Sequence, residues 1–221
     1  MSFPSDLLHD LDRLISSSDL NLQPFLTPKV LEQFRTYHRE LQKWNKTIKL
    51  TGIQTFKDFV DRHLLDSLVA LPFISRLSPG DTILDVGSGA GFPGLPLAMI
   101  FPEMTWILIE SRQRRSAFLS HLQRTFALSN VQVLTARVAG NPDNEGIIEE
   151  ARMLMFRAVN PQEILPLSTL YLKEEGECLY WATQNTPLKL PESLFEKEGL
   201  DYQLPSGESF CLRRFGRKDV S

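Results

Sequence analysis

The segment ILDVGSGAGFPGLPLA, from Ile83 to Ala98, places a cluster of glycines directly after a short apolar run. Gly87, Gly89 and Gly91 occupy alternate positions, and Gly94 follows them. The apolar run predicts a buried strand, and glycine permits a positive φ and the close approach of another group to the backbone. The segment is therefore either a tight turn that packs a strand against a helix or a loop kept bare for a ligand.

Two acidic residues favour the ligand-binding interpretation. Asp85 precedes the glycines, where its carboxylate can accept hydrogen bonds from a cationic or hydroxyl-bearing ligand. Glu110 ends the second predicted strand, 23 residues after Gly87. That spacing is close to the ~20 residues that separate a glycine loop from the acid that binds ribose hydroxyls. No Gly-Lys-Ser/Thr follows the loop, which excludes a phosphate-binding P-loop.

From about Gly80 onward, predicted strands alternate with predicted helices. The strands are TILDVGS, TWILIES, VQVLTAR, RMLMFRAV, GECLYWAT, DYQLP and SFCLRRF. The helices between them are RRSAFLSHLQRTFAL, NEGIIEEA and PQEILPLSTLYL. This alternation predicts an α/β fold with a doubly wound, mainly parallel sheet, and the last two strands predict an antiparallel hairpin around SGE.

The part of the chain before this region has a helical pattern. Apolar residues recur at three- and four-residue intervals in DLLHDLDRLI, PKVLEQFRTYHRELQKWNKTI and TFKDFVDRHLLDSLVALPFI. Thr55 is a predicted N-cap, with Asp58 three residues later. We therefore predict an N-terminal helical cap over residues 1–78 and a sheet domain over residues 79–221.

Composition limits the class of protein. The chain has 221 residues and is 42% hydrophobic. Its net charge of −3 argues against a protein that coats nucleic acid by charge alone. No segment approaches the roughly 18 apolar residues of a membrane span, and the acidic N-terminus does not resemble a signal peptide. Cys178 and Cys211 lack metal-ligand spacing. We expect a monomeric cytoplasmic protein without a metal or a membrane partner.

Five ordered segments over about 115 residues carry a family resemblance. The form D-x-G-x-G-x-G resembles motif I of class I methyltransferases, which bind S-adenosylmethionine. Here it continues as LDVGSGAGFPGLPLA, and the other four segments are LQKWNKTIKLTGI, DRHLLDSLVA, ESRQRRSAFL and FRAV. Together they resemble the RsmG (GidB) family of bacterial 16S rRNA guanine-N7 methyltransferases.

The resemblance implies a class I methyltransferase (Rossmann-like) fold, S-adenosylmethionine as cofactor, and 16S rRNA or the small ribosomal subunit as substrate. Guanine N7 carries a lone pair and no proton, so catalysis reduces to alignment and electrostatics without a general base. The implied cofactor-binding residues are Asp85, Gly87, Gly89, Gly91, Phe92, Glu110, Val138, Ala139 and Arg157. The implied catalytic residues are Arg157, Arg62, His63 and Asp66.

Three positions depart from the family pattern. Lys49 stands where the family has an Asn, Ala139 where it has an acid, and Ala182 and Thr183 where it usually has a Lys. The cofactor loop is intact, but the departures keep open a non-catalytic ribosome- or RNA-binding protein that retains the fold. A class I methyltransferase acting on a small molecule is the other alternative.

Arg157 ends a strand of otherwise apolar residues, where burying a guanidinium is costly without a partner. It either forms a structural ion pair with Asp85 or Glu110, or lines the cofactor or target-base pocket as the resemblance implies. Arg62 and Asp66 are spaced for one helical face, which predicts either an ion pair between them or a face over the cofactor mouth.

Basic residues gather in three groups that could seat an RNA backbone if they share one side of the molecule. The predicted RNA-binding residues are Arg112, Arg114, Arg115 and Lys46. Lys43 and Lys49 lie near Lys46, and Arg213, Arg214, Arg217 and Lys218 form a C-terminal group. Trp44 and Trp181 are candidate stacking platforms, although core packing is the more common role of tryptophan.

Overall fold

A computed structural model describes residues 24–143, 146–147, 150–184 and 186–218. Their centre is a seven-stranded sheet. In chain order its strands, β1 to β7, are Thr82–Val86, Thr105–Ile109, Val131–Leu134, Ala151–Arg157, Leu172–Thr183, Leu194–Gln203 and Ser209–Arg217. Their order across the sheet is β3-β2-β1-β4-β5-β7-β6. The strands β1 to β5 pair in parallel, whereas β7 is antiparallel to both β5 and β6. The predictions of a mainly parallel sheet and a closing hairpin are confirmed.

The order of the strands explains where the glycine loop lies. All five residues of β1 are buried, as expected for a parallel strand covered on both faces. β1 pairs with β2 on one side and β4 on the other, and Val86 lies opposite both Ile109 and Phe156. The carboxyl end of β1 is therefore the point where the strand order reverses, which is the usual ligand site of an open parallel sheet. Arg157 follows Phe156 and so lies at the same edge.

The structure describes seven α-helices among these residues, and not all of them match the predicted set. Their bounds, α1 to α7, are Pro28–Asn45, Phe56–Phe59, Leu65–Leu68, Leu71–Ile74, Gly94–Ile100, Gln113–Thr125 and Pro161–Ile164. The predicted helix DLLHDLDRLI lies outside the described residues. The helix predicted for NEGIIEEA is wrong for its described residues, because Gly146 has a φ of +78°, Ile147 is buried outside any helix and Ala151 already begins β4. PQEILPLSTLYL forms only α7 and a 3-10 turn at Ser168–Leu170 before β5 begins.

The helical region after Thr55 is interrupted rather than continuous. Thr55 and Asp58 form a reciprocal capping box at the start of α2, which confirms the predicted N-cap. A π-helical turn at Val60–Leu64 separates α2 from α3. The turn contains Arg62 and His63, and π turns are frequent at functional sites.

The described helices of the N-terminal region share one hydrophobic core with a face of the sheet. The buried residues of α1 are Val30, Phe34, Tyr37, His38 and Leu41. They belong to the same cluster as Phe59, Phe92 and Trp106. None of the described helices is long and apolar enough to span a bilayer.

Tyr37 connects α1 to the glycine loop through a hydrogen bond and a ring contact. Its side chain is fully buried, and its hydroxyl donates a hydrogen bond of 2.5 Å to the carbonyl oxygen of Ala90. Its ring stacks on Phe92, with centroids 5.1 Å apart. Gly91 has a φ of +97°, and a Cβ there would collide with the Tyr37 hydroxyl and with Leu95. The glycine at this position is therefore required by packing as well as by backbone conformation.

We predict that Tyr37→Phe lowers the free energy of unfolding by about 1–3 kcal/mol, because it removes the donor to a buried carbonyl. Tyr180→Phe is the matched control, since Tyr180 stacks on Phe156 on the opposite face of the sheet. Urea unfolding of both variants measures the difference. Equal and small losses in the two variants would contradict the role given to the Tyr37 hydroxyl.

Candidate functional site

The glycine loop is held in place by backbone hydrogen bonds to the neighbouring strand. The amides of Gly87 and Ser88 both donate to the carbonyl of Ile109, at 2.8 and 3.1 Å. The amide of Gly91 donates to the carbonyl of Ser88 at 2.7 Å. The loop is thus a fixed surface at the carboxyl ends of β1 and β2.

Glu110 stabilises this loop by accepting hydrogen bonds at its carboxylate. It is only 4% exposed, and its two carboxylate oxygens accept from the amides of Gly89 at 2.9 Å and Arg112 at 2.8 Å. Arg112 is the N-cap residue of α6. Glu110 therefore joins the glycine loop to the start of the next helix.

Open space lies above Gly89. Its φ is +58°, and a Cβ there would meet only the Gly87 carbonyl at 3.7 Å and an Arg115 guanidinium nitrogen at 3.9 Å. The glycine permits the left-handed conformation and leaves a bare backbone facing this space. Gly89 therefore differs from Gly91, whose side-chain position is filled by protein.

Asp85 has an unsatisfied oxygen at the same edge. The residue is 1% exposed, and its Oδ2 accepts from the amide of Gly94 at 3.1 Å. Its Oδ1 is buried and has no hydrogen-bond partner within the described residues. Burial raises the pKa of this carboxyl from 3.8 to about 6. A buried carboxylate oxygen without a donor suits a cationic ligand.

Arg157 bridges the sheet to the π-helical region. Its guanidinium donates to Asp66 Oδ2 at 2.5 Å and to His63 Nδ1 at 3.0 Å. The Arg157 and Asp66 side chains are 14% and 10% exposed. The predicted partners Asp85 and Glu110 were wrong, since Arg157 forms its ion pair with Asp66.

Asp66 is enclosed by donors from three elements. Besides Arg157, its Oδ1 accepts from the Tyr202 hydroxyl, and its backbone carbonyl accepts from Trp181 Nε1 at 2.6 Å. The predicted ion pair between Arg62 and Asp66 was wrong. Arg62 instead lies 3.4 Å from Glu208, because the π-helical turn and the inward position of Asp66 separate their charged groups.

His63 is neutral in this arrangement. Burial first, and then the charges of Arg157 and Arg62, lower the pKa of its imidazole to about 3. Arginine can only donate, so Nδ1 accepts and Nε2 carries the proton. The ring stacks on Phe92 at 4.8 Å, with the Arg157 guanidinium 5.6 Å from the centroid of the same Phe92 ring.

Two adjacent cavities meet at His63 and Arg157. One, of about 250 Å³, is bounded by the glycine loop, Phe92 and Arg115. The other, of about 510 Å³, lies between residues 52–66 and residues 204–210. Both include Gly52, His63, Arg157 and Ala158 in their walls. The arrangement provides two neighbouring compartments with a shared wall.

The other predicted site residues lie farther from this wall. Val138 is buried among the residues on the second face of the sheet, and Ala139 is exposed in the segment after β3. Arg112 and Arg114 are exposed at the start of α6, and Lys46 is exposed as the C-cap of α1. Of the predicted RNA-binding residues, Arg115 is the one that lines the cleft beside the glycine loop.

Two arginines of the C-terminal basic group form ion pairs with acids on neighbouring strands of the sheet. Arg213 makes two hydrogen bonds to Glu196, and Arg214 makes two to Glu177. Both arginines belong to β7, so the prediction of a basic tail was wrong for them. Trp44 packs against Phe118, and Trp181 is buried, so both tryptophans contribute to packing.

Sequence reasoning missed Tyr202 as part of the site. The segment DYQLP was predicted as a strand, and strand periodicity alone does not identify which inward residue meets a distant carboxylate. A polar hydroxyl at an inward-facing strand position is the only local signal, because a buried Tyr hydroxyl usually has a hydrogen-bond partner. Its partner Asp66 is 136 positions away.

Comparisons with known proteins agree with this architecture. TrmN from Thermus thermophilus superposes with a TM-score of 0.56 at 15% identity, covering 72% of this chain and 53% of that one. A SAM dependent methyltransferase from Aquifex aeolicus gives a TM-score of 0.54 at 15% identity, covering 79% and 97%. At these identities the likeness establishes the fold, and the prediction of a class I methyltransferase fold is confirmed.

Curated relatives are more similar in sequence. Ribosomal RNA small subunit methyltransferase G of Cellvibrio japonicus is 44% identical over 108 residues, which are 48% of this chain and 49% of that protein. The protein of the same name from Coxiella burnetii is 48% identical over 98 residues, 44% of this chain and 46% of that protein. This chain thus spans about half the length of these two relatives. The namesake from Lachnoclostridium phytofermentans is 30% identical over 183 residues, 82% of this chain and 75% of that protein.

A family profile described as rRNA small subunit methyltransferase G matches residues 30–190, from the start of α1 to beyond β5. The match includes all five segments on which the resemblance was based, so that prediction is confirmed. The chain therefore belongs to the GidB family.

Proposed function

We propose that this protein transfers a methyl group from S-adenosylmethionine to N7 of a guanine in small-subunit (16S) rRNA. The observation that carries the proposal is the pair of adjoining cavities, one on the glycine loop, that share the wall of His63 and Arg157. One compartment suits the cofactor and the other suits the base. The family and the names of its curated members support the same activity.

The residues at the glycine loop fit the proposed cofactor. When bound, S-adenosylmethionine would supply an electrophilic methyl group on its sulfonium. Its methionine moiety also carries a cationic ammonium group. The unsatisfied Oδ1 of Asp85 offers an anionic acceptor for such a ligand, and the open space at Gly89 lets it approach the backbone. Glu110 holds the loop in shape and has further lone pairs for ribose hydroxyls. The remaining proposed cofactor residues are Gly87, Gly91, Phe92, Val138, Ala139 and Arg157.

The wall between the cavities suits a reaction without proton transfer. The Nδ1 lone pair of His63 is engaged by Arg157, and its Nε2 carries a proton, so the imidazole cannot act as a base. The carboxylate of Asp66 is engaged by Arg157 and Tyr202. Guanine N7 has no proton to remove, so Arg157, His63 and Asp66 serve to position the reactants and shape the field around them. Arg62 lies at the rim of the larger cavity.

Two exposed arginines, a half-buried arginine and an exposed lysine offer an approach surface for RNA. Arg112, Arg114 and Arg115 open α6 beside the glycine loop, and Lys46 ends α1. Each can contact phosphate near the cleft, which compensates locally for the acidic net charge. We place the substrate, 16S rRNA or the small subunit, and the protein itself in the cytoplasm.

The test is N7-methylguanosine mapping of 16S rRNA from cells with and without the gene, followed by methyl transfer with purified protein. We expect loss of one N7 mark in the deletion and its restoration in vitro. The rate at saturating substrate should vary little between about pH 6.5 and 8.5, since His63 does not titrate there. Cofactor binding without rRNA methylation would favour a small-molecule methyltransferase. Absence of S-adenosylhomocysteine binding would favour a non-catalytic RNA-binding protein.

A second prediction concerns Asp85. Its pKa is raised on folding from 3.8 to about 6, so the folded state binds the proton more tightly than the unfolded state. Relative to Asp85→Asn, the parent without cofactor should therefore lose about 3 kcal/mol of stability as pH rises from about 4 to above 6. Urea unfolding across this range measures the difference between parent and variant.

The same carboxyl links proton release to cofactor binding. S-adenosylhomocysteine, which carries an ammonium group, should bind the parent more tightly at pH 7 than at pH 5, because ionised Asp85 is the better acceptor. Asp85→Asn should bind it weakly at both values. A stability difference between parent and variant that stays constant with pH would contradict the buried, unpaired carboxyl described above.

A further inference from the structure

The larger of the two cavities has both apolar and charged residues in its walls. Its volume of about 510 Å³ lies in the range of small-ligand pockets, and it opens between the residues around the π-helical turn and the β6–β7 hairpin. Leu204, Phe210 and Ile53 give it apolar walls. Apolar and aromatic walls suit a flat ring that has been taken out of a base stack.

Three carboxylates line this cavity, and two of them form hydrogen bonds that stabilise the fold. Asp58 accepts from the Thr55 amide at 3.2 Å and the Thr55 hydroxyl at 2.7 Å in the capping box. Asp66 holds Arg157 and Tyr202. The third, Glu208, contacts only the exposed side chains of Arg62 and Ser206 among the described residues, and neither a helix cap nor a buried residue depends on it.

Glu208 is free to change partners. Its side chain is 48% exposed, and its Oε1 lies 3.4 Å from an Arg62 nitrogen. Its Oε2 accepts from the Ser206 hydroxyl at 3.1 Å. An exposed ion pair at such a distance contributes little to stability. Glu208 can therefore exchange Arg62 for another donor with little loss of free energy.

We propose that the larger cavity holds the target guanine, turned out of the RNA, and that Glu208 accepts hydrogen bonds from its N1–H and 2-amino group. This inference rests on the proposed function and names the residue that selects guanine at that site. The Watson–Crick edge of guanine carries two adjacent donors that match the two oxygens of a carboxylate. Adenine has no donor at N1 and no 2-amino group, so the same contact rejects it.

A carboxylate at this edge also favours the reaction. The N7 lone pair forms the new bond to the methyl carbon while the carbon–sulfur bond breaks, and its electron pair stays on sulfur. Positive charge thus moves from sulfur to the purine, and no proton is transferred. The charged ring makes its N1–H and amino group better donors, so Glu208 binds the transition state more strongly than the neutral base.

The experiment compares two nucleotides that differ only in the 2-amino group. Binding of 7-methylguanosine 5′-monophosphate and 7-methylinosine 5′-monophosphate is measured with S-adenosylhomocysteine present, for the parent, Glu208→Gln and Glu196→Gln. Glu196 is the matched control, because it lies on the same hairpin, is 50% exposed and pairs with one arginine, Arg213. We expect the parent to prefer the guanosine compound by about tenfold or more, as for a hydrogen bond to a charged group. Glu208→Gln should lose that preference, and Glu196→Gln should keep it.

Methyl transfer to rRNA from the deletion strain gives the second readout. Glu208→Gln should lower kcat as well as kcat/KM by about tenfold, whereas Glu196→Gln should stay within about twofold of the parent. An unchanged nucleotide preference in Glu208→Gln, or no preference in the parent, would overturn the inference even if the parent methylates rRNA. A parent that prefers the guanosine compound but methylates no rRNA would instead overturn the proposed function.

Discussion

The ion pair between Arg157 and Asp66 is the contact on which the site depends. It joins the last residue of β4 to the first turn of α3, which are 91 positions apart in the chain. Two largely buried charges are costly to desolvate, and they are tolerated because Tyr202 donates to the Asp66 carboxylate and His63 accepts from the Arg157 guanidinium. The pair sets the helical region against the carboxyl edge of the sheet and thereby creates the wall between the two cavities.

The electrostatics of the wall follow from the same pair. Arg157 forms its ion pair with Asp66 and not with Asp85, so Asp85 Oδ1 is left without a hydrogen-bond partner among the described residues. Because Arg157 donates to Nδ1, His63 keeps one tautomer. Burial first, and then the charge of Arg157, lowers the pKa of the imidazole, so His63 stays neutral near neutral pH. The neutral His63 thus lies in the wall that the two cavities share. Arg115 lines the smaller cavity, and the carboxylates of Asp58, Asp66 and Glu208 line the larger one.

Local features of the sequence predicted the sheet and the loop. About 30 residues contain the strand TILDV, the alternate glycines and the acid at the end of the next strand. The structure places them together as expected. The family resemblance also pointed to Arg62, His63, Asp66 and Arg157, although not to how they are paired. Pairing depends on which side chains a π-helical turn and a hairpin bring inward, and no local pattern specifies this. The same limit explains Arg213 and Arg214, whose acidic partners lie on neighbouring strands whose register is set only in the folded sheet.

A double-mutant cycle on Arg157 and Asp66 tests this account most directly. Arg157→Gln, Asp66→Asn and the double variant would be compared with the parent by urea unfolding. Each single change should cost about 3–5 kcal/mol, because it leaves one buried charge unpaired. The double variant should cost little more than either, which gives a coupling energy of about 3 kcal/mol or more. Additive losses, with coupling near zero, would show that the two residues stabilise the protein independently and would contradict the central place given to their ion pair.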